Sequence, residues 1–142
     1  MSSAKSPSAS HIIISAPDLT KRPPESFPAP AIGEPSKGEV TWHTLFSSPA
    51  TPSDSLCAGV AVCPPLTGHL CAHRHTQAEV YYITEGQGIV TIDGKDSRVE
   101  KGDAVFIAGD AEHGIRNDGE EELKWFYIFP TASFSDVVYR FS

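Results

Sequence analysis

The chain has 142 residues, with 11 basic and 18 acidic side chains and a formal charge of −7. That length suits one compact domain. Without clustered Lys and Arg it lacks the phosphate-binding surface that a nucleic-acid partner requires. No apolar run is long enough to span a bilayer, and the polar opening "MSSAKSPSAS" holds no apolar signal core, so no membrane partner and a cytoplasmic location are expected.

Residues 1 to about 10 are rich in Ser, Ala and Pro and are expected to be disordered. "HIIIS" (11–15) is apolar and β-branched, which predicts a short strand. The stretch 17–38 carries six of the twelve prolines, which argues against a helix or a central strand. It is expected to be an extended arm, so residues 1–38 form a tail and arm ahead of a domain at 39–142.

From Glu39 onward the pattern becomes strand-like. "EVTWHTLF" (39–46), "LCAGVAVC" (56–63), "AEVYYIT" (78–84), "GIVTI" (88–92), "AVFI" (104–107), "HGIRN" (113–117), "ELKWFYIF" (122–129) and "VVYRF" (137–141) are separated by turn signals. Asp93-Gly94 between "GIVTI" and "KDSRV" predicts a two-residue hairpin. Short strands at this spacing, with almost no helical period, define an all-β class: an antiparallel sandwich or barrel. Cys57, Cys63 and Cys71 are odd in number and lack C-x-x-C spacing, so they suggest neither a disulfide framework nor a thiolate zinc site.

"HRHTQAE" (73–79) carries the densest chemistry. On a strand, alternate side chains share a face, so His73 and His75 point the same way and Arg74 the other. Six residues of straight strand would carry Glu79 about 20 Å from His73. Glu79 therefore joins the histidines only if the chain turns within "TQA". That makes "LCAHRH" the end of one strand and "AEVYYIT" the start of the next. His113, just after the turn "AGDA", is the fourth candidate. Three imidazoles and a carboxylate suit a divalent transition metal (Fe, Mn, Zn, Ni or Cu) with positions left open for substrate. The plain alternative is a set of hydrogen-bonded histidines in a β protein. If Glu79 faces inward, Tyr81 and Ile83 do too, while Val80 and Tyr82 face out. Parity also puts Cys71 and His69 on the face of His73. Tyr81 is then either a proton carrier or a packed barrel residue.

These residues resemble the two motifs of the cupin superfamily. The first, G-x5-H-x-H-x3,4-E-x6-G, is matched by Gly68, His73, His75, Glu79 and Gly86, with one residue fewer after Gly68. The second, G-x5-P-x-G-x2-H-x3-N, is matched by Gly102, His113 and Asn117, with Ala108 and Asp110 in place of Pro and Gly. The resemblance covers about residues 39–130. It implies a single cupin-type, jelly-roll-like antiparallel β-barrel with His73, His75, Glu79 and His113 as metal ligands inside it. It also implies a homodimer, with the Pro-rich arm and "HIIIS" either adding an edge strand to the neighbour or remaining a disordered tail. Three functions compete. The favoured one is a metal-dependent lyase, isomerase or dehydratase with Tyr81 moving a proton on a small, partly apolar, oxygenated metabolite. The others are a non-haem metal dioxygenase and a non-catalytic small-molecule-binding cupin.

Overall fold

A computed structural model of the protein describes residues 11–142. The tail at 1–10, expected to be disordered, lies outside the described residues. Alternation of side chains sets the architecture of the rest. In β11 (Leu123–Phe129), Leu123, Trp125, Tyr127 and Phe129 are buried, while Lys124, Phe126 and Ile128 are half-buried. In β6 (Glu79–Glu85), Glu79, Tyr81 and Ile83 are buried and Tyr82 is exposed, as parity requires. Ordinary magnitudes assign about 1.5–3 kcal/mol to each large apolar side chain buried in this way.

Two antiparallel sheets face each other. The first has the order β1 (Glu25–Ser26), β3 (Thr41–Phe46), β4 (Cys57–Cys63), β11, β6, β9 (Ala104–Ile107). The second runs β12 (Arg140–Phe141), β5 (His69–Arg74), β10 (His113–Arg116), β7 (Gln87–Ile92), β8 (Lys95–Glu100), with β2 (Gly38–Glu39) also paired to β5. The core between them is Ala61, Tyr81, Ile83, Val90, Ile107, Ile115, Leu123, Trp125 and Phe129 among others. The expected all-β barrel is therefore the observed fold. The predicted hairpin is present: Asp93 (φ 49°) and Gly94 (φ 79°) both take the left-handed conformation that a two-residue turn between twisted strands needs.

The N-terminal segment departs from expectation. Residues 11–15 form no strand, and Ile13 is 87% exposed. Instead the Ser15 hydroxyl caps a single helical turn, α1 (Ala16–Thr20), by accepting from the Asp18 amide at 3.2 Å. Pro17 is tolerated there because first-turn amides have no helical partner anyway. The arm then returns to its own barrel, where β1 pairs with β3 and β2 with β5. At the other end, "VVYRF" yields only the short β12. Residues 137–139 are irregular and follow a Ser133-capped 3-10 turn, Phe134–Asp136.

A second departure lies in β5. The β5–β10 register shifts between His113 and Ile115: His113 faces His73, but Ile115 faces Leu70. This bulge resets the alternation. Leu70, not Cys71 or His69, joins His73 on the interior, and the Cys71 thiol turns to the Ser36 carbonyl at 3.4 Å.

Gly86 ends β6 with φ 78°, and an added Cβ would lie 2.2 Å from the Glu122 carbonyl oxygen. Replacing Gly86 with Ala is expected to destabilise the protein by about 1–3 kcal/mol, measured as a lower midpoint in chemical denaturation with an unchanged slope.

Candidate metal centre

β5 delivers His73 and, one residue past its end, His75. The chain reverses over 76–78, as the spacing requires, and β6 opens on Glu79. Across the sheet β10 opens on His113, the direct partner of His73. The turn before β10 is pinned to the other ligand loop, since the Asp110 amide donates to the His75 carbonyl at 2.8 Å. The three histidines and Glu79 are all buried.

Each imidazole is committed in the same way. Nδ1 of His73 donates to the Cys71 carbonyl at 2.8 Å, Nδ1 of His75 to the Gln77 carbonyl at 3.0 Å, and Nδ1 of His113 to the Ala111 carbonyl at 2.9 Å. A carbonyl oxygen only accepts, so Nδ1 carries a proton in each ring and Nε2 is the atom turned inward. The inward ligand atoms of the three histidines lie within 4.8 Å of one another. Glu79 Oε1 stands 3.2 Å from His75 Nε2 and 3.3 Å from His113 Nε2. His73 Nε2 is buried and has no hydrogen-bond partner.

Burial and the neighbouring His113 push His73 down to about 3, so its ring is neutral near pH 7. A neutral imidazole with an unpartnered, inward lone pair is a poor structural residue and a good ligand. Two atoms held about 2.1 Å from one ion are roughly 3.0–3.4 Å apart at octahedral or tetrahedral angles. The Glu79–His75 and Glu79–His113 separations fall in that range. The histidine cluster could hold a divalent transition metal, its ring nitrogens, now within 4.8 Å of one another, drawing closer around the ion.

Beside the cluster lies a narrow, largely apolar cavity of about 30 Å³. Glu79 and Tyr81 stand at the metal end, with Trp42, Tyr127, Phe134 and Tyr139 around the walls. Tyr81 is 1% exposed, and its ring centre is 6.3 Å from that of His113 and 5.5 Å from that of Trp125. Burial, then the Glu79 carboxylate, holds its phenol well above the usual range, opposite to the lowered value that a metal-adjacent phenol suggests. Trp42 Nε1 is buried without a partner, a donor that a ligand oxygen could satisfy. Arg74 and Arg116 point away, Arg74 to the Asp110 carbonyl and Arg116 to Asp96. Asn117 serves the turn, donating to the carbonyls of Cys63, Pro64 and Glu121.

Sequence reasoning missed three aromatic wall residues, Phe27, Phe134 and Tyr139. Tyr139 stacks on His73 with ring centres 4.6 Å apart and planes at 15°. All three come from the chain ends, where Pro-rich and short irregular segments carry no periodic signal.

A fold of two facing antiparallel sheets with a histidine cluster between them is that of a cupin, and the family model described as "Cupin domain" matches residues 61–129. This chain belongs to the cupin family. It is 42% identical over 119 residues to dimethylsulfoniopropionate lyase DddW of Ruegeria pomeroyi, which covers 83% of this chain and 76% of that protein. It is 34% identical over 65 residues to acireductone dioxygenase of Bacillus mycoides, spanning 42% of this chain and 38% of that one. Among solved structures, the polyketide cyclase RemF of Streptomyces resistomycificus superposes with a TM-score of 0.69 at 18% identity, over 91% of this chain and 85% of that one, which is a likeness of fold.

The thiols stay outside the ligand set. Burial first, then Asp136 and Glu79, pushes Cys57 up to about 11, and burial pushes Cys63 up to about 12. In native protein at pH 8 a disulfide reagent is therefore expected to label Cys71 first and leave Cys57 and Cys63 slow. Denaturant should release all three at similar rates, followed by peptide mapping.

Proposed function

We propose that this protein is a metal-dependent cupin lyase that removes a proton next to a carboxylate and expels a leaving group from the adjacent carbon. Dimethylsulfoniopropionate is the first substrate to test. The observation that carries this reading is the inward Nε2 of each of three imidazoles, fixed by its Nδ1–carbonyl bond, beside the Glu79 carboxylate and Tyr81. The similarity to DddW over most of both chains supports the lyase class.

His73, His75, His113 and Glu79 would hold the ion. When bound, a divalent metal (Fe, Mn, Zn, Ni or Cu) supplies a Lewis-acidic centre for a substrate oxygen and positive charge that offsets Glu79 beside Tyr81. Tyr81, two residues along β6 from Glu79, is the proton carrier. In the metal-free protein burial and Glu79 hold its phenol protonated, so that proton must first pass to solvent once positive charge offsets Glu79. The phenolate then takes the C2 proton, and the C2–H electron pair becomes the C2–C3 double bond as the C3–S pair leaves on sulfur. The products are acrylate and dimethyl sulfide, with the proton on Tyr81 to be returned to solvent. The aromatic walls suit the substrate's cationic end, because ring faces attract an onium group. Their closeness excludes water from the reacting carbons.

The test begins with metal analysis of untagged protein, where about one transition-metal ion per chain is expected. Its absence, with no thermal shift on adding metal, would sink the proposal. Replacing Tyr81 with Phe is expected to retain the metal and lower kcat by about 10²–10⁴, measured as dimethyl sulfide release. Unchanged turnover removes Tyr81 from the chemistry. Metal-dependent consumption of dioxygen with turnover would favour the dioxygenase reading that the shorter match supports.

A further inference from the structure

The C-terminal segment contributes more to the metal centre than a wall. β12 pairs with the ligand-bearing strand, Arg140 opposite Arg74 and Phe141 opposite His73, and the Ser142 amide donates to the Ala72 carbonyl at 3.1 Å. This pairing lays Tyr139 flat against His73 and 5.3 Å from the His75 ring. Tyr139 is itself wedged between Phe27 at 6.1 Å, Phe134 at 6.1 Å and Phe141 at 5.9 Å.

One residue fastens the strap to both ligand loops. The Asp110 carboxylate pairs with Arg140, its carbonyl accepts from Arg74 at 2.9 Å, and its amide donates to the His75 carbonyl at 2.8 Å. Asp110 adopts φ 63° and stands three residues before His113. The strap, the His75 turn and the His113 turn therefore meet at one point. His73 needs that support. Its ring is held by the Nδ1 bond to the Cys71 carbonyl and by the stack on Tyr139, while its Nε2 has no hydrogen-bond partner; without the stack a ring that leaves the carbonyl has nothing to fix its tautomer.

We propose that Tyr139 is a positioning residue: stacked on His73 and fastened through Arg140 and Asp110, it fixes the His73 ring plane and so sets how tightly the histidine cluster holds a metal ion. This rests on the metal reading above. Groups that orient a ligand without touching the metal typically change metal affinity by about 10–100-fold. The stack depends on the ring and not the hydroxyl, which separates positioning from proton transfer.

The test titrates metal-free wild type, Tyr139→Phe, Tyr139→Leu and Arg140→Ala with Co²⁺, followed by visible absorption. Alongside it, imidazole nitrogen NMR of the metal-free proteins reads the His73 tautomer. Tyr139→Leu is expected to bind Co²⁺ about 10–100-fold more weakly and to show His73 averaging between tautomers. Tyr139→Phe should match wild type in both, and Arg140→Ala should move in the direction of Tyr139→Leu by a smaller amount. Wild-type Co²⁺ affinity and an unaltered His73 signal in Tyr139→Leu would overturn the proposal. If Tyr139→Leu fails to fold by circular dichroism, the exposed Arg140→Ala variant decides by the same two readouts. If wild type takes up no Co²⁺, the metal reading fails. The His73 signal then judges positioning separately: one fixed tautomer in every variant overturns it, and averaging confined to the strap variants supports it.

Discussion

Three hydrogen bonds of one kind organise this molecule: an imidazole Nδ1–H given to a backbone carbonyl two residues away. Each bond commits the proton of one ring nitrogen to the chain and turns the other nitrogen inward. Left unprotonated, three such nitrogens and a carboxylate around one point repel one another in a buried space. Only positive charge at the centre, from protons or a metal ion, makes the arrangement favourable. The strand ends, the reversal over 76–78 and the pairing of His73 with His113 all serve to bring those atoms together.

The cavity beside that point is a joint product of the barrel and both chain ends. β3, β6 and β11 supply Trp42, Tyr81, Trp125 and Tyr127, while the arm supplies Phe27 and the strap supplies Phe134 and Tyr139. The edge-to-face contact of Phe27 with Trp42 at 5.0 Å, and its contact with Phe141 at 5.7 Å, closes arm against strap. The strap's ion pair is exposed, and surface pairs contribute about 0–1 kcal/mol and weaken with salt. One half of the cavity wall is thus the sheet, and the other half is the arm and the C-terminal segment packed on it.

The barrel and the meeting of His73, His75 and His113 are legible in the sequence for physical reasons. Parity in "AEVYYIT" sends Glu79, Tyr81 and Ile83 to one face, and the Asp93-Gly94 turn admits few conformations, whereas both faces of "LKWFYIF" are apolar and its sequence does not say which one is buried. His73 and Glu79 are too far apart along a straight strand to share an ion, so their spacing alone demands the reversal between them. "HIIIS" misleads because β-branched propensity forms a strand only where a neighbour accepts its hydrogen bonds, and the Ser15 cap offers a competing helical turn. The orientations of Cys71 and Leu70 escape a parity argument because a bulge leaves no mark on the alternation of residue types. Tyr139 escapes notice because its importance comes from a ring stacked on a distant part of the chain, which no local pattern encodes.

The bulge in β5 separates two addresses along one strand. On its near side, every side chain is counted from His73; on its far side, the count restarts at Leu70. A designer who wants a roomier floor can therefore alter Leu70, or Val40 against it, without reorienting the ligand that lies three residues further on. The irregularity acts as a mechanical joint: it lets pocket shape drift while the centre stays in register.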